Sequence, residues 1–175
     1  MNRKWVLLSI LATLLVAAAA HFATLAILPN RIMGRYMATR QANSLEHTGQ
    51  NTYKSKDVAR PNADMYISNS VYDLSKGPLL FTAKVPVDHY WSVAFYASNS
   101  DNFFVINDQQ VKSNPVRILL VTTGMKYANP DNAQVVISPS IKGVLLIRQA
   151  IPGPDRLDEV ADLQKQSSIA PQNMP

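Results

Sequence analysis

From Trp5 to Leu28 the chain carries twenty-four consecutive residues without an acidic or basic charge, and no other feature restricts its fold so sharply. A helix of that length, rising about 1.5 Å per residue, matches the roughly 30 Å hydrocarbon core of a bilayer with some tilt. Met1-Asn2-Arg3-Lys4 ahead of it resembles the positive start of an export signal, and Ala18-Ala19-Ala20 would suit a cleavage site. Apolar character nevertheless continues through His21-Phe22-Ala23-Thr24-Leu25-Ala26-Ile27-Leu28, so the sequence predicts an uncleaved anchor over residues 1–29. Either reading exports the remainder. Arg3 and Lys4 on one side and Arg31, Arg35 and Arg40 on the other leave the positive-inside count nearly even. The signal-like start then predicts a single-pass protein of the cell inner membrane with its C-terminal domain in the periplasm. His21 is an ionisable group within the span, and a hydrogen bond to a backbone carbonyl or a neighbouring helix is its simplest role.

The net charge of +5 has the same origin. Those five basic residues stand in a forty-residue stretch without an acid, which leaves twelve basic against twelve acidic side chains in the rest. A nucleic-acid binder needs its positive excess on the folded domain, so that class is excluded as a partner. The absence of cysteine excludes disulfides, thiolate zinc sites and cysteine nucleophiles together.

Residues 30–59 are polar, contain Gly34 and Gly49, and show no sustained apolar face, which predicts a short helix and a polar tether. From 60 to 168 short apolar runs alternate with Gly, Pro, Asn and Asp, the texture of a mainly β domain. Strands are expected over 65–71, 79–85, 90–96, 102–106, 116–122, 134–137 and 143–148, the first two forming a hairpin across Ser75-Lys76-Gly77-Pro78. No helical repeat interrupts them, so the pairing is expected to be antiparallel, in a small β-sandwich or barrel-like domain. After Pro152-Gly153 the period changes. Pro154 at a first helical position, acids Asp155, Asp158 and Glu159, and a face of Leu157, Val160 and Ala161 predict one C-terminal helix ending near Ser167. Residues 169–175 read as a loose tail.

No Gly-x-Ser-x-Gly elbow, phosphate loop or His-Glu-x-x-His pair occurs. Outside the span only His47 and His89 remain, and Asp88 beside His89 would point to the opposite face if both lay on a strand, so no metal site is expected. Asn99, Asp101 and Asn102 depart from calcium-loop spacing and suit a turn. The densest polar cluster is Arg60-Pro61-Asn62-Ala63-Asp64-Met65-Tyr66. As a structural corner it would have Asn62 and Asp64 capping backbone, with Arg148 pairing to Asp64 or Asp73 and Asp64 buried among partners. As a ligand site the candidates are Arg60 or Arg148 for an anion, Asp64 and Asn62 as polar partners, and Tyr66 and Tyr90 as donors from a sheet mouth. No cofactor is implied.

These residues also carry a resemblance. The segment Arg60 to Tyr66, then Tyr72-Asp73-Leu74-Ser75-Lys76-Gly77-Pro78, then His89-Tyr90-Trp91-Ser92-Val93, resembles the opening of the domain of unknown function 1254 family. Val144-Leu145-Leu146-Ile147-Arg148 with Gly153-Pro154-Asp155 and Leu163-Gln164 is similar to its end, so the likeness runs from about Arg60 to Gln166. The N-terminal span resembles the short, membrane-anchored members. Where the family often reads Asp-Thr-Leu-Tyr, this chain has the shorter Asp64-Met65-Tyr66, so the motif transfers as a structural landmark only. The resemblance implies a β-rich fold and no assigned activity. Long members commonly continue into a domain of unknown function 1214, which implies a separate partner protein of that type here. The expectation for function is therefore an anchored, non-catalytic binding or assembly module, with an envelope enzyme or small-ligand receptor built on the Arg60 cluster as the alternative.

Overall fold

Helix α1 (Arg3–Ala38) opens on Asn2, whose side chain accepts from the Lys4 amide at 3.4 Å. In the computed structural model, which describes residues 2–55, 61–129 and 132–172, α1 is the one helix long and apolar enough to cross a membrane. The hydroxyls of Ser9, Thr13 and Thr24 return to the carbonyls four residues earlier, which removes unsatisfied donors from an apolar face. Pro29 lacks the amide that would bond the Leu25 carbonyl, yet the helix continues past it for nine more residues, to Ala38.

The expected tether is instead a strap. The Tyr36 hydroxyl donates to Asn69 Oδ1 at 3.0 Å, and the Arg40 guanidinium stacks 3.8 Å over the Tyr36 ring. Arg40 Nε also pairs with Glu46 at 3.3 Å, too poorly aligned to count as a hydrogen bond. Ala42 bridges Val71, and β1 (Glu46–His47) lies antiparallel on β2 (Met65–Asp73). Thr48 bonds the Ile67 carbonyl through both its amide and its hydroxyl, and Gln50 and Asn51 donate to the Ala63 and Asn62 carbonyls. Composition alone reads Asn, Gln and Thr as a linker. Here their side chains satisfy main-chain groups along the edge of β2, which water would otherwise have to solvate.

The strands β3 (Leu79–Ala83), β4 (Trp91–Ala97), β5 (Asn102–Asn107), β6 (Val116–Thr122), β7 (Gln134–Ser138), β8 (Lys142–Ala150) and β9 (Ser168–Pro171) complete two sheets. One has the order β1-β2-β8-β4-β5 and is antiparallel throughout, and the other has the order β7-β6-β3-β9. The expected fold class is the observed one: mainly β, with a short C-terminal helix α2 (Leu157–Gln164) after a single turn at Pro154–Arg156. The interior lies between the sheets, where Trp91, Tyr72, Phe81, Phe95, Ile118, Leu120 and Leu145 are all but inaccessible. Phe81 meets Phe95 edge-on at 6.1 Å across that interior, the arrangement that ring quadrupoles favour.

Three further expectations are corrected. The hairpin between the first two strands does not form: β2 pairs with β8 and β1, while β3 crosses to the other sheet and pairs with β6 and β9. Leu74 and Leu79, on either side of the turn, are both buried in the common core, so the turn is a corner between sheets. Pairing is not wholly antiparallel, because β6 and β7 run parallel. Met125 and Ala133, between these two strands in sequence, cover Leu119 and Val121 on the outer face of β6. The predicted loose tail begins instead with β9, whose Ile169 opposes Phe81 and packs on the core.

Candidate functional site

Of the six candidate residues, Arg60 lies outside the described residues. Asn62 Oδ1 accepts from the Asp64 amide at 2.8 Å, a local turn ahead of β2, and the Asp64 carbonyl accepts from the Ile151 amide. Asp64 itself is exposed, so the expectation of a buried carboxylate there fails. Tyr66 opposes Gln149 and faces the interior. Arg148, one residue along, opposes Ile67 and Ser92 on the other face of the same sheet, half-buried. Tyr90 is partly exposed on that outer face and donates to Ser92 Oγ at 2.8 Å. The fold thus brings Tyr90 and Arg148 to one neighbourhood and sets Tyr66 behind the sheet. The anticipated pairing of Arg148 with Asp73 goes to Lys142, whose Nζ is 2.9 Å from Asp73 Oδ2, because the register places Lys142 opposite Asp73.

Two polar constellations formed only in the tertiary structure. In the first, Ser68 in β2 stands 2.8 Å from His47 Nδ1 of the strap and accepts from Gln164 Nε2 of α2 at 2.9 Å; Gln164 also donates to the Ile67 carbonyl. Three elements meet on one buried hydroxyl. Burial, reinforced by the Lys165 charge, lowers the His47 pKa and so favours the neutral imidazole. In the second, the Gln149 amide donates to His89 Nε2 at 3.3 Å, His89 Nδ1 donates to Asp88 at 2.8 Å, and Arg156 joins Asp88 at 2.6 Å to Glu159. Asp88 and His89 lie in the β3–β4 loop, not on a strand, and so face one another. Arg156 and then His89 hold the Asp88 carboxyl at about 2. The dyad has the geometry of a base and its orienting acid, but the nitrogen that would take a proton is bonded to buried Gln149 and the imidazole is only 4% exposed. Through Arg156 the pair ties the loop to the start of α2. Among the described residues no three His, Asp or Glu side chains converge as metal ligands.

Acid should therefore loosen the domain in two stages. A histidine whose folded pKa lies below its unfolded value of 6.5 contributes stability that is complete above that pH and declines below it. Asp73 is also held at about 2, because hydrogen bonds from Lys142 and Ser75 outweigh the upward push of its burial. Asp73 and Asp88 contribute stability above the ordinary carboxylate range near 4, lost as pH falls toward about 2. Both ion pairs are open to water, so this second loss is small and shrinks with salt. Melting followed from pH 8 to 2 should show both declines, and His47→Gln should erase only the first.

A groove of about 740 Å³ lies at the open side of the sandwich. Phe104 and Ile106 of β5 and Val116 of β6 form its floor, and Lys112, Asn114 and Gln134 its rim. β5 and β7 are the outer strands there, each paired on one side only among the described residues. None of the five described sequence candidates lines it. Its residues come from three segments that the topology alone collects, so no local signal marked them.

A two-sheet β domain following an apolar helix is the class that this geometry defines. The family described as "Protein of unknown function (DUF1254)" matches residues 42–171, and the chain belongs to it. No curated protein matches. The VPA0106 protein from Vibrio parahaemolyticus shares the fold, with a TM-score of 0.60 at 13% identity over 66% of this chain and 31% of that one. An uncharacterized protein from Burkholderia cenocepacia aligns at 14% identity and a TM-score of 0.49 over 65% of this chain and 33% of that one. The chain thus spans about a third of the length of these two structures.

Proposed function

We propose that this protein is a membrane-anchored, non-catalytic binding module whose β domain, held in the periplasm against the inner membrane, docks a separate partner protein. One observation carries the reading: β5 presents an unpaired edge along an apolar-floored groove, with Val105 54% exposed on that strand. Such an edge pairs readily with another chain unless it is covered. The edge of β2, by contrast, is covered by the strap. The unbroken passage of α1 into that strap supports a domain fixed to its anchor, where two tethered partners meet at high effective concentration. The partner is a protein resembling the domain of unknown function 1214, the module that long relatives carry in the same polypeptide. Catalysis is not part of the reading, since the one His-Asp pair among the described residues is locked by Gln149.

A photo-cross-linking residue in place of Val105, in native membranes, should trap a protein of the 1214 type, and a reporter fused after Pro175 should be active only in the periplasm. Recovery of unlinked chain alone, or of adducts between copies only, overturns the partner. Cytoplasmic reporter activity overturns the placement.

A further inference from the structure

His21 is seven residues, about 10 Å, inside the Leu28 end of the apolar run, and its side chain leans toward the helix N-terminus, deeper still. Imidazole on two rotatable bonds does not reach a headgroup from there. Every other polar side chain between Trp5 and Leu28 except the terminal-ring Trp5 is satisfied within the helix: Ser9, Thr13 and Thr24 bond carbonyls one turn back. Among the described residues His21 has no hydrogen-bond partner, and its ring stands edge-on to that of Phe22, 5.7 Å between centroids. A polar group left unsatisfied in hydrocarbon is costly, and water is absent to solvate it, so a partner must come from another molecule.

We infer that α1 associates in the membrane with α1 of a second copy of this chain, through the face that carries His21. The chemistry selects a copy over other occupants. A neutral imidazole has one donor and one acceptor and is therefore complementary to itself, and two chains of one orientation bring their His21 rings to one depth. Thr13, Ala17 and Thr24 lie at helical spacing from His21, and their small side chains let two backbones approach. The pairing rests on the reading of α1 as a membrane span.

The chain has no cysteine, so single introduced thiols report contacts without background. Full-length Ala17→Cys and Ala19→Cys variants, the second on the opposite face, are reconstituted in phosphatidylcholine vesicles, floated on a density gradient and oxidised. Ala17→Cys should form disulfide-linked dimer several-fold faster than Ala19→Cys. Adding His21→Leu should lower the dimer yield of Ala17→Cys by roughly three- to tenfold, the range for one interhelical hydrogen bond, while His21→Asn retains it. Chains that float but cross-link equally from both positions, or are indifferent to His21→Leu, overturn the pairing and leave the anchor intact. Chains that fail to float overturn both.

Discussion

Gly143→Ala is expected to cost about 3–5 kcal/mol and to leave little folded domain, as measured by the denaturant midpoint of the full chain. Gly143 stands in β8 between Tyr72 of β2 and Ala97 of β4. A Cβ there would overlap the Tyr96 carbonyl oxygen and the Tyr72 phenol. Neither neighbour can yield cheaply. The Tyr96 carbonyl belongs to the adjacent strand, and the Tyr72 hydroxyl donates to it at 3.1 Å while sitting 2.9 Å from Ser138 Oγ of the other sheet. Tyr72 is fully buried, so its ring has no solvent to swing into. Tyr72→Phe, which removes the hydroxyl and keeps the ring, should cost about 1–2 kcal/mol. A Gly143→Ala midpoint within about 1 kcal/mol of the parent would sink the assignment of this contact as a closure point between the sheets.

Asn43→Ala is expected to cost about 2–3 kcal/mol and to release the strap. Asn43 has φ 59°, a left-handed conformation that asparagine tolerates and alanine adopts only with strain. Its side chain reproduces a strand partner: Oδ1 accepts from the Asp73 amide at 2.8 Å, and Nδ2 donates to the Asp73 carbonyl at 3.1 Å. Hydrogen exchange should rise across residues 42–51 in the variant, with a lower melting temperature. Asn43→Gly relieves the strain and loses the bonds, so it should recover about 1 kcal/mol of the loss and none of the exchange protection. Unchanged protection in Asn43→Ala would show that β1 alone holds the strap.

The strap also marks where reading along the chain stops working. Residues 39–51 have a linker's composition, and their role depends on the edge of β2, to which they are not adjacent in sequence until folded. The candidate residues before β2 were visible as a polar cluster, but which face Tyr66, Tyr90 and Arg148 adopt follows from pairing with β8 and β4. His89 and Asp88 were recognised as neighbours, whereas Arg156, Gln149 and Gln164 carried no local sign of the contacts they make. The groove was invisible for the same reason, since β5, β6 and β7 supply it jointly.

What the sequence by itself determined is whatever depends on short-range order: the apolar helix, from an uninterrupted run without charge, the strands, from apolar runs cut by turn residues, and the final helix, from a change of period. Tertiary structure alone decided that β2 and β3 belong to different sheets, that β6 and β7 run parallel, that the tail supplies β9, and that one open side is left between β5 and β7. Local patterning specifies which groups must be buried or bonded. Which distant segment supplies the partner is set by the packing of two sheets around one core, where Tyr72, Phe81, Phe95 and Leu145 from four separate strands have to fill the same space.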